Sequence, residues 1–384
     1  MTETPIVTWH AFDLKSGRRG PQMTTQQMGA FGRIIGDVTD CNLQIRCYDS
    51  ERDSGDGLPT IDYATPGWDA GTAPGRALLV ALDEDEIPLW GGLVLTRPSD
   101  GTEWVEVDLV TLEHYFGRRY VGYLDFFGDS GEGVDQASIA QQLIEPTLPD
   151  GLPFTFDAPL SGTLRQMSYS DDEDKTVLAA LQELMALEGG PEFTVDLEWT
   201  DDTHTALSYV VRVRNRLGVA PTVPVQFTMP GCVTAFTFTE DYSEENGAND
   251  VLATSSGQGE GRPTSAHHVA SDAIAGGWPK YELRFQPAAS VLDDGLLDAA
   301  AEEELALTTY GLQEFTLTST LADAPRVAVD WRLGDDITVQ VTSARFPAYI
   351  GPDGDLVAGF VGRGRVVGWD ADFDAGTIAP KVRV

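Results

Sequence analysis

The chain has 384 residues, enough for two or three domains with buried cores, and an ordinary 42% of hydrophobic residues. Its charge is extreme: 61 acidic against 25 basic residues leave a formal net charge of −36. A surface that negative repels phosphate backbones and anionic lipid, which argues against a sequence-reading DNA or RNA binder. It does not exclude a protein past which DNA slides without sticking, and it equally fits simple solubility or a salt-rich or high-GC host.

The N-terminal MTETPIVTWHAFDLKSG lacks a basic region followed by an apolar core, so no signal peptide is expected. No apolar run approaches the ~20 residues that span a bilayer. Cys41 and Cys47 lie in a strand-like stretch, and with Cys232 they neither pair evenly nor supply a four-ligand zinc site; small buried apolar roles are expected. A long loop rich in Gly, Asp and Pro runs from 49 to 74. It holds Trp68, read either as a glycan contact or as a loop anchor packed on the body of the protein. Strands with period-two alternation or β-rich composition follow at 102–112, 193–199, 206–215, 234–241, 314–321 and 336–343. Three helices interrupt them. Asp135 can cap the first, with Ile139 and Leu143 one turn apart. In the second, Val177, Leu181, Leu184 and Met185 form an apolar stripe, Ser170 and Glu173 fit a capping box, and Gly189 stops it. The third is the acidic stretch 296–309. The acidic runs 83–86, 170–174 and 302–304 are expected to be solvated turns and helix faces. Strands and helices do not alternate as a doubly wound nucleotide fold requires.

A faint internal repeat links RALLVALDEDEIPLWGGLVLTRPSDGTEWVEV (76–107) with the segment from DDITVQVTS (335–343) to GRGRVVGWDADFDAGTIAPKVRV (362–384). Gly92-Leu93-Val94 matches Gly364-Arg365-Val366, and the Asp100-Gly101 turn matches Asp374 to Gly376. The expected fold is therefore mainly β with α+β insertions: two related small β-barrels with a helix-containing domain between them.

Candidate chemistry is sparse. Gly257, Gly259 and Gly261 in NDVLATSSGQGEGRPTSAHH (249–268) lack the lysine of a P-loop and run into Arg262-Pro263, so close backbone approach is preferred over a phosphate cradle. His267 and His268 are adjacent, which on a strand sends their rings to opposite faces; a metal site with Asp272 is the less favoured reading. No G-x-S-x-G elbow is present, and a glycosidase acid pair cannot be picked from so many carboxylates. No catalytic residue, cofactor or metal is assigned.

PLWGGLVL (88–95), VLAALQELMALEGGPEFTVDLEW (177–199), ANDVLATSSGQGEG (248–261) and VDWRLGDDITVQV (329–341) together resemble the minor tail proteins of long-tailed bacteriophages of actinobacteria, specifically the baseplate or tail-hub group. The resemblance implies a first barrel over 1–112, an α/β insert over 113–200, a second barrel over 201–240 plus 310–384, and a further insertion over 241–309. It also implies a virion protein of the tail tip, made in the host cytoplasm. Three copies would give a homotrimer with a pseudo-sixfold ring, joining the tail tube and distal tail protein to the tip around the DNA and tape-measure channel. The chain ends at KVRV directly after the second barrel, so any lytic or receptor-binding activity is expected in another protein. Trp90, Gly91 and Gly92 are expected on a barrel strand, Leu333-Gly334-Asp335 in the turn after Trp331, and Gly257, Gly259 and Gly261 at backbone-approach positions. Rival readings are a hexameric distal-tail ring protein, a carbohydrate-binding tail module and a wall-degrading hydrolase.

Overall fold

The structure, a computed structural model, describes residues 6–47, 67–128, 131–187, 189–244, 246–255, 262–286 and 294–384. Seven strands open the chain: β1 (Thr8–Asp13), β2 (Arg19–Met23), β3 (Ala30–Ile34), β4 (Asp40–Arg46), β5 (Ala77–Leu82), β6 (Pro88–Thr96) and β7 (Trp104–Thr111). All but β3 form one antiparallel sheet in the order β2-β1-β5-β6-β7-β4. The chain beyond β2 then reaches β4: Gln26 N–H donates to Gln44 O at 2.9 Å and Arg46 N–H to Thr24 O at 2.8 Å. The sheet thereby curls round into a barrel whose two ends are linked through residues 24–26.

A middle unit follows, with β8 (Phe154–Asp157), β9 (Glu192–Trp199) and β10 (Leu207–Arg214) in the order β8-β10-β9. It carries helices α1 (Gln136–Ile144) and α2 (Val177–Met185). Asp135 caps α1 by accepting from Ala137 N–H at 3.0 Å. The Ser170–Glu173 capping box forms too, but on a separate 3-10 turn. Asp174 then turns left-handed at φ 48°, so α2 starts later and takes Thr176 as its own cap. Because β9 and β10 form a hairpin, the middle sheet runs to Arg214, past the boundary expected at residue 200.

Next come β11 (Gln226–Met229) and β12 (Val233–Asp241). A small sheet of β13 (Asp250–Ala253), β14 (His268–Val269) and β15 (Glu282–Phe285) packs on helix α3 (Asp294–Thr308) through Val251, Ala253, Leu297, Ala300 and Ala301. The chain closes with β16 (Leu312–Thr320), β17 (Asp336–Val341), β18 (Phe360–Asp372) and β19 (Thr377–Arg383). The second large sheet runs β11-β17-β18-β19-β16-β12, and β3 joins it by pairing with the end of β18.

The two large sheets share a four-strand unit in which β4-β5-β6-β7 correspond to β16-β17-β18-β19. In each, the first strand pairs with the last and the other three form a meander. The registers agree residue by residue: Gly92 faces Leu79 as Gly364 faces Ile337, Val94 faces Leu109 as Val366 faces Val382, and Cys41 faces Leu109 as Phe315 faces Val382. A β-bulge follows Val94 and another follows Val366, the residues that the sequence repeat aligns. Both interiors merge into a single apolar core that runs from Trp9, Leu43 and Trp90 through Phe31 and Trp369 to Phe315 and Val339.

Candidate assembly surfaces and the buried ion-pair seam

The six residues of β5, ALLVAL, are all buried because this strand has two covered faces. Ala77, Leu79 and Ala81 point into the barrel, while Leu78, Val80 and Leu82 join a second core with Leu143, Leu181 and Val211 of the middle unit. On β6, Trp90 is buried and its Nε1–H donates to Gly32 O at 2.7 Å. A side chain at Gly92 would collide with the Trp90 ring, and one at Gly91 with Leu197 on β9. These glycines let the indole lie flat inside the barrel and let the middle sheet approach it from outside.

Trp331 is buried against Phe227, and its Nε1–H donates to Pro325 O at 3.0 Å. Gly334 has φ 92° and lies back to back with Gly218, where a Cβ would overlap the Gly334 backbone. Asp335 holds this crossing from both sides, accepting from Val219 N–H at 2.7 Å and Arg332 N–H at 2.8 Å. Gly257, Gly259 and Gly261 lie outside the described residues. So do residues 49–66 of the long loop. Trp68 packs on the apolar core, with the Arg97 guanidinium 5.2 Å from its ring centre; Arg97 also pairs with Asp69 at 2.9 Å. That is the geometry of a loop anchor.

The strongest electrostatic feature was not singled out in the sequence. Arg33 on β3 donates to Asp196 Oδ1 at 2.6 Å, to Thr194 Oγ1 at 2.5 Å and to Val195 O at 2.7 Å on β9. Glu113, buried just after β7, accepts from Val195 N–H at 2.9 Å and lies 3.9 Å from Arg33. Burial works against the Arg33 charge, but Asp196 and Glu113 outweigh it and hold its pKa above the ordinary value. Burial pushes the Glu113 carboxyl up, against the pull of Arg33. Burial also opposes the Asp196 charge, yet Arg33 and Arg212 bring its pKa below the usual carboxylate range. Arg365 makes a second tie, a fork onto both Glu192 oxygens at the start of β9. The one available signal was a charge set within apolar strand sequence, as in AFGRI and LVTLEHYF.

The acidic run 83–86 is a turn with Glu84 and Asp85 exposed, as expected, but it is also a bonded corner. Arg326 pairs with Asp83 at 2.9 Å and Asp85 at 2.6 Å, tying the first sheet to the second. Glu86 pairs with Arg19 at 2.8 Å and His204 at 2.7 Å, and those hydrogen bonds lower its pKa to about 2.

All three cysteines are buried and unpaired; burial raises Cys41 to about 12 and Cys47 to about 11, so neither is a reactive thiolate at neutral pH. His267 turns to Asp250 at 2.7 Å and His268 to Asp298 at 3.3 Å, so the adjacent rings have separate partners. Among the described residues no group of three or more His, Cys, Asp or Glu side chains is placed to hold a metal ion. No helix among them is long and apolar enough to cross a membrane.

No family model matches the sequence, and no curated protein matches it either. Solved structures do resemble it in fold. The 43 kDa tail protein of prophage MuSo2 from Shewanella oneidensis superposes with a TM-score of 0.57 at 12% identity, over 98% of both chains. A tail protein from Neisseria meningitidis MC58 gives 0.56 at 11% identity, over 98% of this chain and 96% of that one. The prophage tail protein gp18 from Listeria monocytogenes EGD-e gives 0.53 at 8% identity, over 98% and 94%. The mainly β architecture with helical insertions is thus a fold that phage tail proteins also adopt over nearly their full length.

Proposed function

We propose that this chain is a structural protein of a phage tail tip: a hub of which three copies close into a ring around the channel for DNA and the tape-measure protein. The observation that carries the reading is the pair of register-matched four-strand units, β4–β7 and β16–β19. A trimer of a chain with two equivalent barrels presents six similar faces, which is what a joint between a sixfold tube and a threefold tip needs. The fold shared with solved tail proteins supports the same role. In this reading the neighbours are the tail tube, the distal tail protein and other tip proteins, the location is the virion, and the chain contributes no catalysis.

The excess of carboxylates fits a channel wall that repels DNA. Electron microscopy of assembled tails tests the reading: three copies per ring with acidic lumen walls are expected. Six copies would assign the hexameric distal-tail role instead, and a neutral or basic lumen would reject the repulsive wall. Turnover of peptidoglycan by the purified chain would reject a purely structural role.

A further inference from the structure

Between the first barrel and the middle unit lies an open cleft of about 940 Å³. Its floor is aliphatic, formed by Leu14, Leu93, Val94, Leu95 and Leu152. Around it stand Lys15 from the β1–β2 turn, Arg76 just before β5 and Arg118 just after the short helix Glu113–Phe116. In a chain where carboxylates outnumber cations 61 to 25, a basic side chain ordinarily finds an acidic partner. These three make no ion pair among the described residues, and each is exposed. The carboxylates at the cleft make no ion pair with them: the Asp13 pKa is lowered chiefly by its Ser16 hydrogen bonds and only then by the Arg76 charge. Asp13 is turned onto Ser16, accepting from its N–H at 2.8 Å and its Oγ–H at 2.6 Å, and Asp150 lies on the loop before β8. His114 also lines the cleft, with its pKa lowered by burial and then by the Arg118 charge, so it is largely neutral at pH 7.

We propose that this cleft is a binding site for an acidic polypeptide segment: two or three carboxylates held by Lys15, Arg76 and Arg118, and an aliphatic side chain seated on Leu93, Leu95 and Leu152. Forked guanidinium groups suit carboxylates, and the apolar floor supplies the non-electrostatic part of the affinity. A nucleic acid is disfavoured because a long polyanion feels the whole −36 field, and among the described residues the cleft offers only the Tyr115 and His114 rings as stacking faces.

The test is selection of random twelve-residue peptides on the full-length protein and on its Arg76→Glu/Arg118→Glu double variant, followed by anisotropy titration of a labelled selected peptide. Peptides enriched in Asp and Glu around Leu, Ile or Val are expected, bound at least tenfold more weakly by the double variant and more weakly still as salt rises. Circular dichroism checks that the variant is folded, and Leu95→Ser, which keeps all three cations, should also weaken binding. Absence of acidic enrichment, or equal binding by the double variant, overturns the proposal. So does preferential binding of a labelled single-stranded oligonucleotide, or self-association lost in the double variant with no peptide selected.

Discussion

β5 and β17 hold the same place in the two large sheets, yet one reads ALLVAL and the other DITVQV. Every residue of β5 is buried, whereas burial alternates along β17. The next strands differ in the same way: Gly91 and Leu93 on β6 correspond to Arg363 and Arg365 on β18. The backbone register is common to both units, so the divergence lies in what covers the outer face. The middle unit lies on the first barrel through an apolar layer, and it meets the second sheet through polar ties, the Arg33 contacts of β3 with β9 and the Arg365–Glu192 fork. A strand sequence thus records its neighbours on both sides, not only its sheet.

Arg33→Ala should have the largest effect. It strips the counter-charge from Glu113 and leaves Asp196 with Arg212 alone at the contact between β3 and the middle unit, and about 3 kcal/mol should be lost. Urea denaturation measures it; a loss below 1 kcal/mol would mean the seam is not what joins the units.

Exchanging aligned residues comes next. Gly91→Arg drives a charged chain into Leu197 and Val80 and should cost up to about 3 kcal/mol. The reverse change, Arg363→Gly, removes a partly exposed ion pair with Asp336 and should cost about 1 kcal/mol or less. Equal costs would show that the two outer faces are not in different environments.

Acid should act on the first barrel, because β11–β12 and β16–β19 contain no histidine. His10 is buried, and burial followed by the Arg19 charge lowers its pKa to about 4. The unfolded chain therefore binds more protons than the folded one as pH falls from about 6.5 to 4, and stability declines through that window. His10→Leu should flatten the decline by roughly 2–3 kcal/mol in urea titrations across pH. His114 contributes in the same direction, and an unchanged slope would discount His10.

The smallest effect is expected for Arg326→Ala, which releases Asp83 and Asp85 at a half-exposed corner between the sheets. About 0.5–1 kcal/mol is expected, shrinking as salt is added.

Much of this architecture is legible in the chain, because alternation and turn residues are local properties. The strands at 102–112, 193–199, 206–215, 314–321 and 336–343 each match an observed strand to within a few residues, and the repeat fell on equivalent positions down to the bulges at Val94 and Val366. The capping box at Ser170 was real but served a separate turn, since a left-handed Asp174 is invisible to a spacing rule. Pairings between distant segments stayed hidden. AFGRI does not say that it joins β18, and DEDE does not say that Arg19, His204 and Arg326 from three regions meet it. Those facts depend on tertiary position, for which single residues carry no periodic signal.

The crossing of β3 bears on how the molecule is made. Residues 30–34 find their partners at 368–372, and Asp374 accepts from Met28 and Gly29 N–H groups. Those partners leave the ribosome long after residues 28–34 do. Residues 30–34 must therefore wait, unpaired along one strand, until β18 has been made, and a nascent chain cut short upstream of β18 leaves β3 without its partner.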